Sequence, residues 1–187
     1  YEKVVEEAPN KYAEKSALAA ARIYFFELKD YAKAENYYGQ LKQIASNPEN
    51  KLEAMRGLLR SQYQQQKWTD AVNNAKDLLN QKSISSDDKA LANMAVAKSY
   101  QVGGQYDLAI ANFKTVVAIN KAALAAEARY EIANSLFSVD HLSEAEKAAF
   151  ETVNKSGSYD YWVTKSYILL GDIYFKEKDY FNAKATF

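Results

Sequence analysis

The chain has 187 residues, enough for one ordinary domain or for an elongated array with a sizeable core. Its 24 basic and 24 acidic residues balance to a formal net charge of +0, which disfavours nucleic acid and anionic membrane surfaces as partners. Cysteine is absent, which removes disulfides, thiol catalysis and zinc–thiolate sites, and a hydrophobic fraction of 48% excludes a disordered chain.

Breakers are few, with 6 Gly and 2 Pro, so a helical protein is expected. The opening YEKVVEEAPNKY reads as the end of a helix. From there Leu18, Ala21, Phe25 and Leu28 recur at helical spacing up to the turn ELKD. Ala17 to Phe26 is the densest apolar stretch. It contains Arg22, and no apolar run reaches the ~18 residues a membrane span needs. A second helix follows through Ala34, Tyr38 and Leu41 and ends near SNPEN (46–50). The pattern repeats. Trp68, Ala71 and Ala75 follow the turn QQQK, with KSISSDD (82–88) beyond. Tyr106, Ala109 and Phe113 follow VGGQ, with the weakest boundary at INKAAL (119–124). Leu142, Ala145 and Ala149 follow SVDH, with NKSGSYD (154–160) beyond. Tyr167, Leu170, Gly171 and Tyr174 lead to KEKD, then Tyr180, Ala183 and Phe187. Ser, Asp and Asn in the linkers are candidate caps.

The alanines stand at 34, 71, 109, 145 and 183, so the spacings are 37, 38, 36 and 38 residues. Each unit reads as two helices that a short turn forces antiparallel. A methyl group at the recurring position lets the two backbones approach, and a larger side chain there would overpack the joint by roughly 1–3 kcal/mol. The expected units of one solenoid over 1–187 are 1–10 (partial), 11–48, 49–85, 86–122, 123–159 and 160–187 (truncated).

Catalytic chemistry is missing. His141 is the single histidine and lies in a turn, without a second imidazole for a metal. The glycines of VGGQ (103–104) lack the Lys-Ser/Thr of a phosphate loop and fall at a helix–helix turn. Carboxylates such as Asp87, Asp88, Glu144 and Glu146 read as first-turn residues. No enzyme activity, cofactor or metal is expected.

Tyr167, Leu170, Gly171, Tyr174, Tyr180, Ala183 and Phe187 carry the phrase Y-x-x-L-G-x-x-Y…Y-x-x-A-x-x-x-F. The phrase resembles the tetratricopeptide repeat, usually of 34 residues, and the resemblance extends over the whole chain. Departures are the longer period and the absence of the early tryptophan. The terminal proline is in phase only at Pro9, with Pro48 two places late. The resemblance implies an all-α fold, a right-handed α-solenoid of antiparallel helix–turn–helix repeats. It also implies that the first helices line a concave groove holding a peptide or helix of a protein partner. Longer units with irregular linkers look like those of multi-repeat bacterial envelope proteins. Only that likeness favours a periplasmic or outer-membrane-associated place.

Three rows of first-helix residues face such a groove by phase: Ala19, Arg56, Met94, Tyr130 and Ile168; Ile23, Arg60, Lys98, Asn134 and Asp172; Phe26, Tyr63, Gln101, Phe137 and Phe175. The candidate partner-binding residues are therefore Phe26, Arg56, Arg60, Tyr63, Lys98, Tyr130, Asn134, Phe137 and Phe175. The aromatics would grip an apolar segment and the cations would select acidic groups. The plainer alternative is that the rings pack between adjacent first helices and the cations are solvated. Chaperone-binding members of the family clamp a terminal carboxylate with Lys and Asn. Here Ala19, Ile23, Gly57, Leu91 and Ala95 stand at those phases; the second unit offers Arg56 and Arg60, but Glu127 and Glu131 two units on would repel a carboxylate, so such a clamp is not expected. Alternatives to a partner scaffold are a structural spacer and a non-catalytic holder of cell-wall glycan, the latter motivated by Tyr161 and Trp162. Tyr1 and Phe187 share one repeat phase, inside a second helix. A piece of a longer array is expected, or association of copies through uncapped terminal helices.

Overall fold

The computed structural model describes residues 1–82 and 84–186; Ser83 of the linker KSISSDD and Phe187 of the closing motif lie outside the described residues. Among the described residues there are eleven α-helices and no strand. The chain divides into two compact units, Tyr1–Ala95 and Val96–Phe187.

The first unit holds α1 (Glu2–Glu6), α2 (Ala13–Arg22), α3 (Tyr31–Ile44), α4 (Pro48–Gln64), α5 (Trp68–Leu79) and the start of α6 (Ser86–Val102). Capping residues fix where the helices begin. The Asp30 carboxylate accepts from the Lys33 N–H at the start of α3. Asn47 accepts from the Glu49 N–H at the start of α4, where Pro48 occupies the first turn. Ser85 and Asp88 exchange backbone-to-side-chain bonds, both at 3.1 Å, at the start of α6. This is the reciprocal capping arrangement. Consecutive helices α2, α3, α4 and α5 pack on one another, and α2 also touches α4. Their shared core contains Ala17, Ala20, Ala21, Ala34, Tyr38, Leu41, Ala54 and Leu58. Each buried leucine there contributes about 1.5–3 kcal/mol, and the alanines permit the close helix approach.

The second unit holds the rest of α6, α7 (Tyr106–Ile119), α8 (Ala123–Ser138), α9 (Leu142–Lys155), α10 (Asp160–Lys176) and α11 (Tyr180–Thr186). Again neighbours pack in sequence from α7 to α11, and α8 touches α10. Tyr130, Ala133, Ala145, Ala149, Leu169, Leu170 and Ile173 form one apolar cluster. At the boundary 119–124 the residue before α8, Ala122, supplies no side-chain cap, and Asn120 holds the Ala122 N–H through its own side chain at 2.8 Å.

Five turns share one backbone device. Lys29, Gln66, Gly104, Asp140 and Lys178 have φ of 54, 57, 72, 61 and 64°, and each precedes its repeat alanine by five residues. The next residue's N–H then reaches back over the helix end: Lys67 to Gln62, Gln105 to Tyr100, His141 to Leu136 and Asp179 to Tyr174. These bonds close Schellman-type C-caps and reverse the chain in three residues. The recurring alanines that follow, Ala34, Ala71, Ala109, Ala145 and Ala183, are all buried.

One unit departs from the pattern. Helix α2 runs into a π-helical turn, Ile23–Glu27, and the reach-back bond there spans one residue more, from the Asp30 N–H to the Tyr24 carbonyl. The extra residue shifts the ring that meets the second helix. Tyr63 packs edge-on against Trp68 and Phe175 against Tyr180, but in the first unit Phe25, not Phe26, packs against Tyr31.

Candidate functional site

The rows assigned to the first-helix face have different surroundings in the two units. In the first unit Ile23 and Phe26 are exposed on the π turn, while Arg56, Arg60 and Tyr63 on α4 are half-buried. Arg56 already has a partner. Its Nε and Nη2 donate to Oδ1 and Oδ2 of Asp88, both at 2.7 Å, a fork-on-fork pair. Burial alone would raise the Asp88 carboxyl, but bonds from Arg56 and Ser85 outweigh it and hold the group below its ordinary value. One repeat earlier Arg22 meets Glu53 at 3.1 Å.

In the second unit Lys98 donates to Glu131 at 2.5 Å and lies 3.6 Å from Glu127. Glu131 is only 5% exposed and also accepts from Gln101 at 2.8 Å and Asn134 at 3.3 Å. Gln101 further donates to Ser135 at 3.0 Å. Lys98 and Asn134 are thus brought together, through a carboxylate that satisfies both. Tyr130 is buried, and its phenol is pushed up to about 12, first by burial and then by the charge of Glu131. Phe137 packs against the apolar cluster and carries the Lys176 ammonium 4.9 Å from its ring centroid.

Helix α10 presents what the network leaves open. Tyr161, Ile168 and Phe175 recur every seven residues, on one face, and are 64, 49 and 64% exposed. Lys165 and Asp172 stand between them on the same stripe. The Lys165 ammonium lies 4.8 Å from the Tyr130 ring and 5.4 and 5.5 Å from those of Tyr161 and Trp162. Trp162 itself packs on the core cluster, 5.5 Å from Tyr130.

Reading by phase alone missed the acidic partners. They sit one repeat downstream on the next first helix, 31, 32 and 33 residues after Arg22, Arg56 and Lys98. A basic residue followed by a carboxylate just short of one repeat later is the signal that finds them. A second set joins second helices to the next first helix. Glu35 accepts from Gln62, Gln65 and Lys67, and Glu146 from the Tyr174 hydroxyl. Glu35 and Glu146 share one phase, each just after its repeat alanine. His141 is exposed in its turn, 3.4 Å from Glu144. Among the described residues no group of three or more His, Asp or Glu is placed to hold a metal ion, and no helix is long and apolar enough to cross a membrane.

The family model described as tetratricopeptide repeat matches residues 164–187. No curated protein matches the chain in sequence. Among solved structures, MamA 41-end from Desulfovibrio magneticus RS-1 is similar, with a TM-score of 0.71 at 16% identity, covering 92% of this chain and 90% of that one. YrrB, described as a TPR protein with an unusual peptide-binding site, has a TM-score of 0.61 at 16% identity over 99% and 87%. A Podosopora anserina putative kinesin light chain with nearly identical TPR-like repeats has 0.64 at 18% identity over 95% and 93%. At such identities the likeness is one of fold. The repeated turn, the buried alanine at one phase and the matched closing helices converge on one statement: this chain has the all-α fold of tetratricopeptide-repeat proteins, an array of helix–turn–helix units whose last, residues 164–187, matches the repeat itself.

Proposed function

We propose that the chain is a non-catalytic scaffold that binds a segment of a partner protein on its first-helix face. The observation that carries this reading is the stripe of Tyr161, Ile168 and Phe175 on α10, apolar side chains left in water on one helix face. Exposed apolar rows of this kind mark docking surfaces for amphipathic helices or extended peptides. The described fold neighbour with a peptide-binding site supports the reading by analogy of architecture. Arg56 and Lys98 are spent on Asp88 and Glu131, so selection in this reading rests on apolar contacts, with Lys165 and Asp172 setting orientation. Within the first unit Phe26, Arg60 and Tyr63, and within the second Tyr130, Asn134, Phe137 and Phe175, remain candidates, each set for its own unit's first-helix face.

The test is affinity capture with the native protein and with the Ile168→Ser/Phe175→Ser double variant. Both side chains are exposed, so the variant keeps its melting temperature within a few degrees while the captured partner is lost. Retention of every partner by a folded double variant removes the reading. The spacer alternative is favoured by the internally satisfied network around Glu131 and predicts that outcome. A place in the bacterial envelope rests on the repeat resemblance; a leader or lipid-attachment cysteine encoded by its gene is the observation that decides it. Association of copies through the terminal helices is proposed from α11, where Tyr180 and Phe181 are exposed, the latter at 83%.

A further inference from the structure

A second surface, away from the first-helix rows, carries a site of its own. Helices α7, α8 and α9 enclose a cavity of about 140 Å³, lined by Lys114, Val117, Arg129, Ile132, Ala148 and Glu151. On α8, Arg129 and Ile132 lie on a different face from Tyr130, Asn134 and Phe137, because the helical period sets the mean directions of the two groups more than a third of a turn apart.

Arg129 is unusual in two respects. Its Nε is buried and has no hydrogen-bond partner, and its Nη1 makes only a long contact, 3.4 Å, to the Lys155 carbonyl. Guanidinium N–H groups out of water are normally bonded, most often to a carboxylate. The cavity's own acid does not serve. Glu151 is engaged by Lys155 at 2.9 Å. Lys114 is exposed beside it and adds a second positive charge. The corresponding phase elsewhere in the chain holds Leu18, Met55, Asn93 and Tyr167, so a cation there belongs to this repeat alone.

We propose that this cleft is a carboxylate-binding site, with Arg129 as its anchor. The two oxygens of a carboxylate match the Nε–Nη edge of a guanidinium. An aliphatic stem behind the carboxylate would lie on Val117, Ile132 and Ala148, and Lys114 would supply the second charge at the entrance. Two sources share this chemistry: a free short-chain monocarboxylate, and a chain terminus or acidic side chain of a partner protein. The site is independent of the α10 stripe and stands or falls without it.

The test follows the Arg129 Nε–Hε resonance and the backbone amides by ¹H–¹⁵N NMR during titration with sodium butyrate, against sodium chloride at equal ionic strength. A peptide ending in Ala-Ala-Glu is titrated in parallel. The expected result is a saturable shift of Arg129 Hε and of amides around 117, 132 and 148, lost in Arg129→Gln and weakened about tenfold in Lys114→Gln. Lys114 is exposed, and Arg129→Gln removes an unbonded buried donor, so both variants fold; circular dichroism melts verify this. Saturation with butyrate assigns a free carboxylate, and saturation with the peptide alone assigns a protein one. Chloride shifts equal to those of butyrate, no saturation with either probe, or shifts that survive in folded Arg129→Gln overturn the proposal.

Discussion

At the scale of single residues, the turns show how little sequence a shared backbone needs. Five positions adopt positive φ at one phase, yet only Gly104 is a glycine. Lys29, Gln66, Asp140 and Lys178 accept a conformation that costs an ordinary side chain roughly 1 kcal/mol. The reach-back hydrogen bonds offset that cost. Replacing Gln66, whose side chain is exposed, by Gly is expected to raise unfolding free energy by about 1 kcal/mol. Gly104→Ala, at φ 72° in open space, is expected to lower it by a similar amount. Urea denaturation of the two variants checks both signs. The glycines of VGGQ were readable as a turn; the other four αL residues were not, because Lys, Gln and Asp carry no local mark of that conformation.

At the scale of helices, the recurring alanines were legible and their burial follows from a spacing of 36 to 38 residues. The π turn was not legible. Ile23–Glu27 reads IYFFE, an ordinary helical string, so phase counting set Phe26 beside Tyr63 and Phe175. The inserted residue gives that contact to Phe25 and leaves Phe26 outside. The ion pairs escaped for a related reason, since rows drawn by phase compare equivalent residues and never ask what faces them in the next helix. Helix pairing is also tight in a way composition does not reveal. A β-carbon added to Gly57 on α4 would stand 2.4 Å from the ring of Tyr38 on α3, a side chain itself 2% exposed. Gly57→Ala is therefore expected to cost about 1–3 kcal/mol through overpacking, measured by thermal or urea unfolding. The Tyr38→Ala/Gly57→Ala double variant should show a favourable coupling between the two changes, because removing the ring removes the clash.

For the molecule as a whole, pH dependence follows from groups that join successive repeats. Burial would raise Glu35 and Asp88, but bonds from Lys67, Gln62 and Gln65 and from Arg56 and Ser85 outweigh it and hold both below their ordinary values of 4.5 and 3.8. A depressed carboxyl stabilises the folded chain above its unfolded value and loses that contribution as pH falls through the folded one. On the alkaline side burial pushes Tyr38, Tyr130 and Tyr174 up to about 12, with Glu146 adding to the effect at Tyr174. A raised phenol stabilises fully below its ordinary value of 10 and loses the contribution as pH rises toward 12. Melting temperature is expected to be flat from about pH 5 to 9 and to decline beyond both limits. Circular dichroism melts give the profile, and tyrosinate absorbance locates the alkaline limb.

The fit of Tyr38 over Gly57 also bears on how such a chain changes over generations. A residue late in one repeat is matched in size to a residue early in the next, and the same two phases hold Ala149 and Leu169 in a common apolar cluster. Large meets none in one place and small meets large in the other. The repeats are therefore not interchangeable bricks. Duplicating or transposing one of them would set Tyr38 against a side chain it has no room for, or leave Gly57 facing a hollow. Order along the array is written into its joints, and new copies must be tailored to the neighbours they inherit.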